Sequence, residues 1–193
     1  MSNDTKETEK MNYANIKYYD IANGPGVRTS LFVSGCTHRC ENCFNAVAWD
    51  FQYGEPFGEE TIQQLLDSCA PEYIAGLSLL GGEPMEPENQ PAVYELLRRF
   101  RQWYPEKTVW CYSGYTFEQL MGKEPSRCRL EITDALLGCI DVLVDGEFVQ
   151  ALYDISLRFR GSSNQRILDL PASMSKGEAV LWQDDPMFAK RSL

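Results

Sequence analysis

The sequence predicts an α/β fold. Short apolar runs of strand length alternate with longer segments whose apolar residues recur at helical spacing, and two of the strand runs lead into a cysteine-rich and a glycine-rich loop. At 193 residues the chain can bury a substantial core as one domain, whereas a complete eight-unit barrel normally needs more sequence. The same alternation suits an open barrel and a doubly wound sheet.

Residues 1–12 read as a polar tail, because 1–10 are rich in Lys, Glu and Thr and carry too little apolar surface to fold alone. Residues 13–193 are then a single domain. An early strand is expected over 15–21 and the first principal strand over 29–33. A helix over 59–69 follows, with Ile62, Leu65 and Leu66 on one side, and then a strand over 76–80. Val93, Leu96, Leu97 and Phe100 give a second helix over 88–103. Strands over 108–112 and 140–144 come next, with helical segments over 117–121 and 132–137 between them. A late strand is expected over 167–170, where Pro171 changes the connection because it lacks a donor for a continuing ladder. Residues 179–182 are expected to pack at a sheet edge.

The formal charge is −10 and the basic residues are scattered, which excludes general attraction to a nucleic-acid backbone and leaves a protein partner open. The opening has no apolar core and no uninterrupted run is long enough to cross lipid, so no membrane association and a cytoplasmic location are expected. The seven cysteines suit that reducing compartment. Cys69, Cys111, Cys128 and Cys139 are dispersed; Cys69 is expected near a helix end, Cys128 in a polar connection, and Cys111 and Cys139 as buried, unreactive thiols.

The chemistry concentrates in Cys36-Thr37-His38-Arg39-Cys40-Glu41-Asn42-Cys43 and in Gly81-Gly82-Glu83-Pro84. Three closely spaced thiolates can hold three irons of a cubane and leave the fourth open to a small molecule. They also suit zinc, with His38 a possible fourth ligand, and Gly81-Gly82 alone reads as a tight turn. If the preceding strands are parallel, both loops emerge at the carboxyl edge of the sheet, where such folds place their chemistry.

The three-cysteine loop followed by Phe44-Asn45 resembles the cluster loop of the radical S-adenosylmethionine enzymes. Asn23-Gly24-Pro25-Gly26-Val27-Arg28 is similar to the segment before that loop in the glycyl-radical activating enzymes. Three further stretches agree: Trp110-Cys111-Tyr112-Ser113-Gly114-Tyr115-Thr116, Val144-Asp145-Gly146-Glu147-Phe148, and Arg160-Gly161-Ser162-Ser163-Asn164-Gln165-Arg166. Within that family the chain is most similar to members acting on anaerobic ribonucleoside-triphosphate reductase.

The resemblance implies a partial TIM-type barrel of the radical S-adenosylmethionine kind. It implies that Cys36, Cys40 and Cys43 are catalytic and ligate a [4Fe-4S] cluster, whose open iron is chelated by the methionine end of S-adenosyl-L-methionine. Reductive cleavage would yield methionine and a 5′-deoxyadenosyl radical, which takes a hydrogen from a glycine near the carboxyl end of the reductase. By the same resemblance Gly81, Gly82 and Glu83 line the methionine end with Pro84 stiffening the strand exit, Phe44 contacts adenine, Ser113 and Gly114 approach the ribose, and Asp145 faces the same cavity. Reduced flavodoxin or a similar protein is the expected electron donor.

Read from the residues, Glu83 also suits a solvated loop carboxylate, and Phe44 a core position. Arg28 suits a carboxylate partner in the site or on the surface. Asn164 and Gln165 suit substrate, cofactor or their own loop. Trp103, Trp110 and Trp182 are expected to be packing groups. A noncatalytic zinc-binding interaction protein and an activator of pyruvate formate-lyase or another glycyl-radical enzyme are the alternative functions.

Overall fold

The computed structural model describes residues 11–184. Seven strands form one open sheet: β1 (Asn12–Asp20), β2 (Val27–Val33), β3 (Glu55–Pro56), β4 (Ile74–Gly81), β5 (Thr108–Tyr112), β6 (Val142–Asp145) and β7 (Arg166–Asp169), in the spatial order β3-β1-β2-β4-β5-β6-β7. The four central strands β2, β4, β5 and β6 run parallel, while β1, β3 and β7 are antiparallel additions at the two sides. Among the described residues five α-helices accompany them: α1 (Glu59–Ser68), α2 (Gln90–Trp103), α3 (Phe117–Leu120), α4 (Thr133–Leu137) and α5 (Leu170–Lys176). Among the described residues no helix is long and apolar enough to cross a membrane.

The central strands are buried along most of their length, and besides apolar residues they bury Arg28, Thr29, Ser30 and Ser78. In β2 every residue after Val27 is buried, as expected of a parallel strand inside an α/β layer. Helices α1 and α2 bring Ile62, Leu65, Leu66, Val93, Leu96, Leu97 and Phe100 onto Leu31, Leu77, Leu79 and Val109. Two acidic residues, Glu59 and Glu60, favour the amino-terminal end of α1, and Pro91 suits the first turn of α2. The smaller cluster on the other side joins Trp110, Val142 and Val144 to Phe159 and Trp182.

The alternation expected from sequence is present, and strand 108–112 has the expected bounds. The polar tail lies outside the described residues over 1–10, but Met11 and Asn12 belong to the folded body: Met11 is buried in the core and Asn12 opens β1. The strand expected from 140 begins at Val142, because Ile140 still donates to Leu137 and closes the α4 turn. Residues 180–182 add to β7 through Asp169 N to Val180 O and Trp182 N to Ile167 O, both 2.9 Å, as expected of an edge segment. Cys69 and Cys111 are buried, and so is Cys128, contrary to its polar sequence neighbours; Cys139 is half-buried. Trp110 is buried against Trp182, whereas Trp103, expected to pack, is half exposed at the end of α2.

The parallel pairing carries the functional consequence. Val33 of β2 pairs with Gly81 of β4, so the cysteine loop and the glycine-rich loop leave the sheet side by side at its carboxyl edge. The ends of β5 and β6 open at the same edge, followed by Ser113 and Gly146.

Candidate active site

All three loop cysteines, Cys36, Cys40 and Cys43, carry free thiols and line one cavity of about 610 Å³. The loop folds tightly, with Arg39 at φ 52° and Asn42 at φ 55°. Among the described residues no three His, Cys, Asp or Glu side chains converge on a single ion-sized point. Thiolates that each bind a different iron need no such convergence. Burial pushes the Cys36 thiol up to about 12, reinforced by the charge of Glu83, and burial raises Cys40 as well.

Across the cavity the glycine-rich loop is stitched to the cysteine loop by backbone bonds, Gly82 N to Val33 O at 2.7 Å and Glu83 N to Gly35 O at 2.8 Å. Gly81 adopts φ +111°, and a Cβ on Gly82 would stand 2.5 Å from Gly35 O, so only glycine admits this approach. Glu83 is buried rather than solvated. Its carboxylate accepts from Met85 N (2.8 Å), Ser113 Oγ (2.8 Å) and Gly114 N (2.6 Å), which ties the ends of β4 and β5 together.

His38 completes this junction. Its Nδ1 lies 2.6 Å from Glu147 Oε1, and its Nε2 lies 3.3 Å from Glu83, a charge contact whose angle makes no hydrogen bond. The ring packs edge-on against Tyr115 at 4.4 Å, and a Cβ on Gly114 would meet it at 2.6 Å. Burial disfavours charge on the imidazole, but the Glu83 and Glu147 carboxylates outweigh it and push the group up to about 9. The sequence placed no function on His38 beyond a possible zinc ligand; its role as a link becomes visible only when three strand ends meet.

Phe44 is 80% exposed and lines the cavity, which removes the core reading. Ser113 and Gly114 line it too. Pro84 is buried behind it and does not. Asp145 lies elsewhere: its carboxylate accepts from Phe117 N (2.7 Å) and from Arg166 at 2.5 and 2.9 Å, facing a second, polar cavity beyond His38 and Gly114. The strand alternation at the end of β6 turns Asp145 away from the cysteines.

Arg28 corrects both of its expected roles. It is fully buried and donates to neutral oxygens: Ser78 Oγ (2.8 Å), Leu77 O (2.8 Å), Thr108 O (2.7 Å), Thr108 Oγ1 (3.0 Å) and Pro25 O (3.3 Å). Burial lowers its guanidinium to about 10. Ser78 in turn donates to Asn23 O at 2.6 Å, which holds Asn23 on the cavity wall. Asn164 and Gln165 bond within their own neighbourhood, to Glu147 O and to Gly146 O and Gly161 N. The sequence did not single out Trp49, Tyr153, Leu157 or Phe159, which also line the cavity. Their signal, apolar side chains in loops, is too common to stand out.

A family model for a 4Fe-4S single cluster domain matches residues 22–168, a stretch holding every side chain just described. The anaerobic ribonucleoside-triphosphate reductase-activating protein of Escherichia coli (strain K12) is 41% identical over 157 residues, covering 80% of this chain and 96% of that one. The proteins of the same name from Vibrio cholerae and from Enterobacteria phage T4 are 40% and 37% identical, covering 81% of this chain and 97% and 93% of theirs. With the cluster domain spanning the carboxyl edge of the sheet and these relatives matched along nearly their whole length, the chain belongs to the anaerobic ribonucleoside-triphosphate reductase-activating protein family.

Proposed function

We infer that the protein reductively cleaves S-adenosylmethionine at a [4Fe-4S] cluster and uses the product radical to take a hydrogen from a glycine of anaerobic ribonucleoside-triphosphate reductase. The observation that carries this reading is the shared cavity: three free cysteines face a glycine cradle too narrow for any side chain. The donor set fits the cluster, since three thiols from one short loop leave one iron without a protein ligand. The bound cluster supplies an electron to the cofactor's sulfonium, chemistry that no side chain provides.

The chain's own residues bind and orient. Cys36, Cys40 and Cys43 hold the cluster. Gly81 and Gly82 present backbone groups to the methionine end, Ser113 and Gly114 border the ribose, and Phe44 offers its exposed ring to adenine. Glu83 acts through its hydrogen bonds on the loops around it, with Pro84 packed behind; Asp145 supports the site from the Arg166 side. Apolar walls from Tyr153, Leu157 and Phe159 limit water around the reacting carbon.

The four parallel strands and the site at their carboxyl ends support a partial barrel of the radical S-adenosylmethionine kind. The acidic charge of −10 suits a soluble protein and disfavours nucleic acid; the resemblance supports reduced flavodoxin as the electron donor and a cytoplasmic location. The test is to reconstitute the chain anaerobically, add S-adenosylmethionine, reduced flavodoxin and the reductase, and record the glycyl radical by electron paramagnetic resonance. A radical on the reductase and none on pyruvate formate-lyase is expected; the opposite pattern reassigns the partner, and a folded chain that takes up zinc but cannot assemble iron refutes the enzyme.

A further inference from the structure

The relative placement of the cysteine loop and the glycine-rich loop is not left to the sheet alone. After Glu83 the chain turns tightly toward α2, with Glu86 N donating to Glu83 O at 3.2 Å and Asn89 N to Glu86 O at 2.9 Å. The turn points two polar side chains back at the cluster loop, and both are buried to 1% exposure or less. Asn89 Nδ2 donates to Ser34 O and to Glu83 O, each at 2.9 Å, so one amide spans the two loops. Glu86 Oε1 accepts from Thr37 N at 2.8 Å and from Thr37 Oγ1 at 2.5 Å. Its second oxygen accepts from Arg127 Nη1 at 2.8 Å and Tyr115 Oη at 3.3 Å.

Thr37 directly follows Cys36, and Ser34 stands two residues before it. The pair therefore grips the loop on either side of the first thiol. A buried carboxylate is unfavourable unless donors surround it, and Glu86 has four, one of them charged. Neither Glu86 nor Asn89 lines the cysteine-walled cavity, so contact with a bound group does not account for them.

We propose that Glu86 and Asn89 are positioning residues that lock the cluster loop to the glycine-rich loop and fix the thiols relative to the backbone that receives the cofactor's methionine end. This rests on the functional reading above. A ligand held at once by the cluster and by the glycine cradle is sensitive to their separation, since a displacement of about 1 Å can cost on the order of 10²-fold in rate.

The test uses the full chain with Glu86→Ala, Glu86→Gln, Asn89→Ala and Thr37→Val, reconstituted anaerobically. Iron content, melting temperature of the cluster-free protein, and the S-adenosylmethionine concentration giving half the change in the reduced-cluster spectrum are read for each. In Glu86→Ala and Asn89→Ala that concentration should rise about tenfold or more, and in Thr37→Val, which deletes only one hydroxyl from an exposed residue, about threefold. Glu86→Gln keeps an oxygen for Thr37 but turns an NH2 donor toward Arg127, so its shift should be smaller than that of Glu86→Ala without returning to the parent. A lowered melting temperature with an unchanged spectral response means that the pair only holds the fold, and overturns the proposal. If Glu86→Ala or Asn89→Ala does not fold, Thr37→Val decides alone, and a parental response there overturns it too. A parent whose cluster ignores S-adenosylmethionine instead defeats the functional reading, an outcome recognisable before any variant is made.

Discussion

Replacing Gly82 with alanine inserts a methyl group between the two loops that build the site. The new Cβ would stand 2.5 Å from Gly35 O, 2.9 Å from Ala48 O and 3.0 Å from Gly35 C. All three are backbone atoms, so no rotamer change relieves the contact. Because Cβ contacts under 3.0 Å essentially never occur, Gly82 and Gly35 must part by at least 3.0 − 2.5, or about 0.5 Å. The bonds stretched are those from Gly82 N to Val33 O and from Glu83 N to Gly35 O. Overpacking of this kind costs about 1–3 kcal/mol. At roughly 2–4 °C per kcal/mol for a chain of this size, the melting temperature should fall by about 2–12 °C. The functional loss is the more telling quantity. If 1 Å of misplacement costs on the order of 10²-fold, half of that costs about tenfold. The assay is 5′-deoxyadenosine formation under reducing, anaerobic conditions, normalised to iron content. Cleavage within twofold of the parent at an unchanged melting temperature would refute the close approach of these loops and the positional argument built on it.

Phe44→Ala should leave melting unchanged, because the ring is exposed, and weaken S-adenosylmethionine binding about fivefold or more, the lower end of the ~1–3 kcal/mol typical of base stacking. Equal affinity by titration removes Phe44 from the adenine site. Arg28→Ala strands Leu77 O and Thr108 O without this donor; at about 1–3 kcal/mol for each unsatisfied group, denaturant titration should show a loss of about 2 kcal/mol or more. A loss under about 1 kcal/mol contradicts the buried hub. Asp145→Asn removes the charge facing Arg166 and should destabilise the fold by about 2 kcal/mol while the KM for S-adenosylmethionine stays within twofold. A raised KM in a stable protein would put this carboxylate on the cofactor after all.

What the sequence shows and what it hides divide along the range of the interactions. Strand β5 was legible to the residue because Val109, Trp110 and Cys111 form an apolar run between polar flanks, a local signal. The two-residue β3 carries no such run, and β1, between β3 and β2, has several exposed residues, so its start is set by pairing of Asn12 with Pro56 and of Tyr13 with Val33 rather than by composition. The cysteine loop and Gly81-Gly82 were legible because their chemistry sits in consecutive residues. Arg28 was misread because its partners are the neutral oxygens of β4 and β5, which the Gly76–Thr108 register brings beside it. Five donors on one guanidinium are satisfied by carbonyls and hydroxyls without any carboxylate. The junction of His38 with Glu83 and Glu147, and that of Thr37 with Glu86, join positions 45 to 109 residues apart along the chain, beyond the reach of any motif. Asp145 was placed in the cofactor cavity by resemblance; the direction of a side chain at a strand end depends on the register of β6 against β7.

The three-cysteine cavity would hold a cluster with an iron open to S-adenosylmethionine. The most direct test is the electron paramagnetic resonance spectrum of the anaerobically reconstituted, reduced protein, recorded with and without S-adenosylmethionine. The expected result is a reduced [4Fe-4S] signal whose shape changes when S-adenosylmethionine is added, and which is lost when Cys36, Cys40 or Cys43 is replaced by serine. A folded protein that takes up zinc but no iron, or a cluster signal indifferent to S-adenosylmethionine, would contradict it.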